Sequence, residues 1–306
     1  MIIPKMAPSS VSKSFKVSVA NPIRAKKRGT EVLEISILVP VMNEAGNIRP
    51  LIDEICATMV GRKFEIIYVD DASDDSTAEE LLATLGDVPQ LRVLRHTKRA
   101  GQSAAIRSGL LQANGALIGV LDGDGQNVPT DFPALEAAVI DSSKDGTMVM
   151  AAGIRQRRKD SPIRLLASRG ARWIRTSFLG DTHPDSGCGI KILPRELFMQ
   201  LPFFNHMHRF MPSLVRRHGG TVIGVPVAHR PRIVGASKYR ILDRILVGIF
   251  DVIGVIWLLR RGPAQGYVTE VMVPKTGRRS MEKKGGKDAP KSVVKIASKG
   301  LKDAAK

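Results

Sequence analysis

Residues 121–129, "LDGDGQNVP", place two aspartates one residue apart at the end of the apolar run "ALIGVL", with a glutamine two positions further on. In extended backbone, alternate side chains share a side, so Asp122 and Asp124 point together with Gln126 within reach. Hard oxygen ligands of this kind suit Mg²⁺ or Mn²⁺. The same residues also suit an acidic, Gly-rich turn that only caps a buried strand, and spacing alone does not separate the two. A second group of residues is basic. "GIRQRRKDSPIRLLASRGARWI" (153–174) is studded with arginines, and Arg164 and Ser168 stand four apart, on one face of a helix. Guanidinium forks bind phosphate bidentately; the plainer reading is a solvated basic helix.

The elements that carry these residues alternate. "ISILVP" (35–40) precedes a helix pattern at 46–59, and "FEIIYV" (64–69) precedes one at about 75–85. "LRVLR" (91–95) precedes "GQSAAIRSGLLQA", and "ALIGVL" (116–121) precedes a helix after Pro129. Strands alternating with helices predict an α/β domain with a mainly parallel sheet covered on both faces. Ligands collect beyond the carboxyl ends of such strands. The polar insertions "PVMNEAGN", "DDASDDST" and "DGDGQN" fall at those ends. Further on, "TMVMAAG" (147–153), "CGIKIL" and "TVIGVPV" read as strands and 162–178 as a helix.

Composition bounds the partners. The 306 residues carry a formal charge of +18, but residues 1–30 and 263–306 hold +7 each, which leaves +4 for residues 31–262. The basicity therefore sits in Gly-, Ser- and Lys-rich ends expected to be disordered. Such tails suit an anionic membrane surface. Aromatics are 5% with no stacking motif, which argues against nucleic acid. Cys56 and Cys188 lie far apart and form no metal or redox pair, fitting a reducing compartment. Residues 1–30 lack the apolar core of a secretory signal.

"YRILDRILVGIFDVIGVIWLLRR" (239–261) contains fifteen residues between Arg244 and Arg260 whose one charge is Asp251. As a helix they extend about 22 Å, short of the roughly 30 Å hydrocarbon thickness. The expectation is a helix in the membrane interface, with Trp257 at headgroup depth and arginines at both ends. A buried core helix and a truncated span are the alternatives.

Taken together, the loops resemble glycosyltransferase family 2, with its GT-A fold, and within it the polyprenyl-phosphate branch that includes dolichyl-phosphate mannose synthases. The resemblance covers about residues 33–240 and the segment that follows. It divides the chain into a tail (1–30), a GT-A domain (31–238), an interfacial helix (239–262) and a second tail (263–306). "LVPVMNEAGNI" is similar to the opening strand and loop, where Pro40, Met42 and Glu44 would border the nucleotide. Met42 stands where an aromatic residue is common. "YVDDASDDST" resembles the base- and ribose-binding turn, with Asp71 the expected contact and Asp70 its neighbour; the acids of this loop also suit a helix cap. "DGDGQNVP" resembles the metal loop, where Asp122, Asp124 and Gln126 would hold Mg²⁺ or Mn²⁺ against the donor diphosphate and Asp122 would also border the nucleotide. The resemblance puts Arg155, Arg164 and Ser168 around an acceptor phosphate, joined from "HRPRIVGASKYR" by Arg232 and Lys238. "HPDSGCGIK" is similar to the loop over the donor sugar, with Asp185 and Lys191 as its functional candidates. Asp124, Arg155 and Arg232 are the residues it marks as catalytic.

The implied activity is metal-dependent, inverting transfer of a sugar from a GDP- or UDP-linked donor to a polyprenyl phosphate, at the cytoplasmic face of the membrane and anchored through residues 241–260. A phosphate acceptor is already ionised near pH 7 and needs no general base, which suits a site with many arginines and no evident His–carboxylate pair. The competing expectations are a family 2 transferase with a saccharide or other hydroxyl acceptor in envelope polysaccharide synthesis, and a basic membrane- or nucleic-acid-binding protein without catalysis.

Overall fold

The computed structural model describes residues 33–143, 146–156, 176–231 and 241–261, with backbone alone at 241–247 and 249. All of these fall in the first of two units, Met1–Gln265.

Seven strands form one sheet: β1 (Ile35–Val41), β2 (Phe64–Asp70), β3 (Leu91–Arg95), β4 (Leu117–Val120), β5 (Val149–Arg155), β6 (Lys191–Pro194) and β7 (Thr221–Val227). Their order is β3-β2-β1-β4-β6-β5-β7. Pairings among β1–β4 are parallel, as is β5 with β7. β6 runs antiparallel to both β4 and β5. The sheet is thus mainly parallel as expected, with one reversed strand. Strand order turns back between β1 and β4, the kind of switch point where a crevice opens at the carboxyl ends.

β1 and β2 are buried at every position, the pattern of strands covered on both faces. One face packs against α1 (Ile48–Thr58), α2 (Thr77–Leu85) and α4 (Phe132–Ser142), through Ile37, Val39, Ile52, Ile55, Leu81 and Leu135. The other packs against α3 (Gln102–Gln112), α5 (Arg195–Gln200), α6 (Met211–Arg217) and α7 (Ile241–Arg260), through Leu38, Val69, Ile106, Phe198 and Leu214. Each face keeps about ten or more large apolar side chains from water, the main favourable contribution to folding.

α7 holds to the body along one side. Val255 is 1% exposed and joins the second core, with Val252, Ile256, Leu258 and Leu259 packed beside it. His206 Nδ1 meets Asp251 Oδ2 at 2.8 Å, so the one acid of the apolar stretch is paired. Phe250, Ile253 and Trp257, at helical spacing, face outward and are 74%, 58% and 57% exposed. Among the described residues no helix is long and apolar enough to cross a membrane. α7 therefore packs as a core helix along one side and carries an exposed apolar stripe along the other.

Candidate active site

The acidic loop leaves β4 at the crevice. Asp122 Oδ1 accepts from Gln102 Nε2, at the start of α3, at 2.8 Å. The backbone leading into β6 lies directly on the same carboxylate: a Cβ at Gly189 would stand 2.2 Å from Asp122 Oδ2. Glycine is required there because only a missing side chain permits that approach. Asp124 Oδ1 accepts the Gln126 N–H at 3.1 Å, and Gly125 takes a φ of 70°, so the loop turns tightly while its carboxylates stay together. Burial first, then the charge of Asp124, pushes Asp122 above the ordinary carboxylate range, opposed by Lys191, Arg155 and the Gln102 bond.

The loop is strapped from the segment after β7. Asn127 bridges His229, and Arg230 N–H donates to Gln126 O at 3.0 Å. The Arg230 guanidinium donates to Gly125 O and, through both terminal nitrogens, to the Glu54 carboxylate at 2.9 Å each. Neither Arg230 nor Gly189 stood out in the sequence, although an isolated glycine just before a strand signals close backbone approach.

Beside the acids stand two cations. Arg155, at the end of β5, engages Asp185: Nε donates to Oδ2 and Nη2 to Oδ1, both at 2.7 Å. This bond raises the Arg155 pKa, against burial. Nη1 of Arg155 makes no bond among the described residues. Lys191 is 4% exposed and its ammonium donates to Cys188 O. Burial lowers its pKa, with Cys188, Asp122 and Asp185 pulling the other way. The structure thus brings Asp122, Asp124, Gln126, Arg155, Asp185 and Lys191 into one region. Arg164, Ser168, Arg232 and Lys238 lie outside the described residues.

On the other side of the crevice, the first two loops are zipped together. Asn43 N–H donates to Ser73 Oγ at 2.9 Å, Glu44 N–H to Thr77 Oγ1 at 2.8 Å, and Gly46 N–H to both Glu80 oxygens at 2.9 Å. Pro40 lies within β1 and Met42 just after it. Asp70 Oδ1 accepts the Ser73 N–H at 2.9 Å and Oδ2 lies 3.1 Å from Arg95 Nε. Asp71 takes His96 Nδ1 at 2.7 Å and the Ala100 N–H at 2.8 Å on Oδ1, and the Gly101 N–H at 2.8 Å on Oδ2. Three of about four acceptor sites on that carboxylate are filled. Burial works against its charge, yet these bonds bring its pKa below the ordinary value. Asp71 therefore fixes the 96–101 loop and keeps little capacity for a ligand.

The His–carboxylate pair not evident in the sequence exists as His96 with Asp71, but the other ring nitrogen meets Ser108 Oγ at 2.9 Å. Two more histidines near the site make hydrogen bonds. His183 Nδ1 accepts the Asp185 N–H at 3.2 Å and its Nε2 faces Ala152 O at 3.4 Å, a neutral ring held low by burial. His208 meets Ser103 Oγ at 2.8 Å, and burial, with Arg209, Lys191 and His206 adding, pushes it down to about 3. Among the described residues no three His, Cys, Asp or Glu side chains gather as a cation cage. A cation here would rest on two carboxylates, the Gln126 amide and oxygens brought by a ligand, an all-oxygen set appropriate to Mg²⁺ or Mn²⁺.

A mixed α/β sheet with an acid pair at its switch point, flanked by a buried lysine and a half-buried arginine, is the architecture of a GT-A sugar-nucleotide transferase. The sequence pattern of Glycosyl transferase family 2 matches residues 36–201, more than half of the chain, and the protein belongs to that family and is a glycosyltransferase. It is 32% identical over 259 residues to the dodecaprenyl-phosphate galacturonate synthase of Rhizobium johnstonii, covering 82% of this chain and 74% of that protein. It is 30% identical to the undecaprenyl-phosphate 4-deoxy-4-formamido-L-arabinose transferase of Pectobacterium carotovorum, covering 70% of this chain and 65% of that one. Among solved structures, glucosyl-3-phosphoglycerate synthase of Mycobacterium tuberculosis, in complex with Mn²⁺, UDP-glucose and phosphoglyceric acid, superposes with a TM-score of 0.55 at 20% identity, over 76% of this chain and 82% of that one. That likeness concerns the fold.

Proposed function

We propose that this glycosyltransferase moves a sugar from a nucleoside diphosphate donor onto a polyprenyl phosphate at the cytoplasmic face of the membrane. The observation that carries the reading is the acid pair Asp122 and Asp124 with two cations, Arg155 and Lys191, beside it, a set that can hold a metal ion and neutralise phosphate without a general base. A hydroxyl acceptor would need such a base; a phosphate monoester, by the second ionisation typical of its class, does not. The relatives named for dodecaprenyl and undecaprenyl phosphate support the same acceptor class.

Asp122, Asp124 and Gln126 would hold Mg²⁺ or Mn²⁺, which supplies charge neutralisation on the leaving diphosphate. The raised pKa of Asp122 fits this role, since a bound cation relieves the repulsion from Asp124. Pro40, Met42, Glu44, Asp70 and Asp71 would form the wall of the nucleotide pocket, Asp71 by holding the 96–101 loop in place. Arg155, oriented by Asp185, would offer Nη1 to a phosphate oxygen, together with Arg164, Ser168, Arg232 and Lys238. Lys191 would position Asp122 and Asp185. An acceptor phosphate oxygen then forms a bond to C1 of the sugar while the bond from C1 to the diphosphate breaks. Its electron pair leaves with the nucleoside diphosphate, and in-line displacement turns an α-linked donor into a β-linked product. The outward stripe of α7 and the basic tails would keep the site at headgroup depth.

The test is incubation of the purified protein with Mn²⁺, undecaprenyl phosphate and a panel of GDP- and UDP-sugars, uronic acid and formamido-arabinose donors included, read by mass spectrometry. A glycosylated lipid is expected. No lipid product, with nucleotide and metal still bound, would favour the hydroxyl-acceptor alternative.

A further inference from the structure

At the far end of α7 lies a groove of about 540 Å³. Its walls include Arg216, Arg217 and Arg260, and its apolar part is Phe178, Leu179 and Leu259. Two of the forks are aimed by the backbone: Arg216 Nη1 donates to Gly180 O at 2.8 Å and Arg217 Nε to Leu258 O at 3.2 Å. None of the three meets a carboxylate among the described residues. Ser213 also lines the groove, 1% exposed, and its hydroxyl has no hydrogen-bond partner. A buried hydroxyl without a partner is costly, and three guanidinium groups repel one another unless an anion joins them. An apolar wall, an unpartnered buried hydroxyl and excess positive charge together describe a receptor for a phosphate attached to something greasy.

The groove is remote from the acid pair. α6 ends near Thr221, which pairs with Val149 at the start of β5, whereas Arg155 is at the other end of that strand, roughly 20 Å away at about 3.3 Å per residue. It adjoins the outward stripe instead. Trp257 lies one turn before Arg260 and Arg261, and the Arg261 guanidinium sits 5.2 Å from the centre of its ring.

We propose that this groove binds the phosphate headgroup of an anionic phospholipid, at a site remote from the acid pair, and so fixes how α7 lies on the membrane. The proposal rests on the membrane-surface reading above. The test is sedimentation of the full chain with vesicles of phosphatidylcholine alone and of phosphatidylcholine with phosphatidylglycerol. The double variant Arg216→Gln/Arg217→Gln is compared with Lys283→Gln/Lys284→Gln, which removes the same charge from the C-terminal tail. The groove variant should lose more than the roughly 25-fold that two charges of diffuse attraction contribute to partition on anionic vesicles, at about fivefold per charge, and the tail variant no more than that. Both should match the parent on neutral vesicles. Transfer in detergent should stay within about twofold for the groove variant, since those side chains are at the surface and away from the site. Ser213→Leu, which fills the groove at unchanged charge, should weaken anionic binding in the same direction while thermal unfolding confirms the fold. Equal losses from the two double variants would overturn the groove and leave a diffuse electrostatic attraction. Calorimetric binding of glycerol phosphate that depends on Arg216 and Arg217, with vesicle partition unchanged, would overturn the lipid assignment in favour of a soluble phosphate. No partition to either vesicle would sink the membrane reading, and the groove proposal with it.

Discussion

The two sides of the crevice are stabilised by different means. On the side of the first two loops, backbone amides are matched to carboxylates and hydroxyls: Gly46 to Glu80, Glu44 to Thr77, Ala100 and Gly101 to Asp71. On the side of the acid loop, charges oppose charges in poor contact with water: Asp122 near Asp124, and Lys191 and Arg155 near Asp122 and Asp185. The first side is held together by hydrogen bonds of its own. The second is a balance of buried and half-buried ions, and electrostatic interactions there exceed those in water by several-fold. Shape is therefore set on one side, and on the other stands a charge balance that the metal and phosphate of the proposed function would shift.

The largest break in this contrast is expected from Asp124→Asn. Transfer should fall about a thousandfold or more, as when a group stabilising transition-state charge is removed, while nucleoside binding without metal and the unfolding temperature stay close to the parent. Unchanged turnover would remove Asp124 from any cation site. Gly189→Ala is the next step down. The new Cβ must displace the Asp122 carboxylate, and a shift of about 1 Å in a reacting constellation costs about a hundredfold. Titration with Mn²⁺ should show weaker metal binding in step with the activity. Normal metal affinity with lost activity would mean that Gly189 serves the donor sugar and not Asp122.

What the sequence conveyed follows the range of each interaction. β1 to β4 and their helices were legible because apolar runs and punctuating loops are local. α5 and α6 were not, since "RELFMQ" and "MPSLVRR" are six and seven residues, too short for a helical period to show. The reversal of β6 is a tertiary matter that no local pattern encodes. The same division holds in the site. Asp122, Asp124 and Gln126 were legible because they fall within five residues of chain. The pairing of Asp71 with His96, of Arg155 with Asp185 and of Arg230 with Glu54 joins residues 25, 30 and 176 apart, so the roles of those groups emerge once the chain has folded. Asp71 shows the consequence: an acid expected to face the base spends most of its capacity on the loop beside it.

Asp71→Asn sharpens the comparison from the preformed side. The amide keeps one acceptor oxygen but turns a donor toward the Ala100 or Gly101 N–H, costing about 2 kcal/mol of stability near neutral pH. The sign with pH follows from the lowered pKa of Asp71. Its contribution is present above the unfolded carboxylate value of about 4 and is lost as pH falls through the lower folded value. The gap between parent and variant should therefore close in acid, as measured by denaturant unfolding at a series of pH values. A gap independent of pH would show that the charge of Asp71 is not what holds the loop.

Asp251→Asn should have the smallest effect and tests whether α7 belongs to the responsive side. Its partner His206 stands two residues from His208, which meets Ser103; Ser103 follows Gln102, which meets Asp122. A half-buried pair of this kind is worth up to about 1 kcal/mol, or about fivefold in rate if that free energy is felt at Asp122. Transfer should decline within that range while nucleotide affinity stays constant, because Ser103 adjoins Gln102, the partner of Asp122, and lies one residue further from Gly101, the partner of Asp71. A matching fall in nucleotide affinity, read by calorimetry, would mean that the two sides move together and that the rigidity of the first is supplied in part by the helix on the surface.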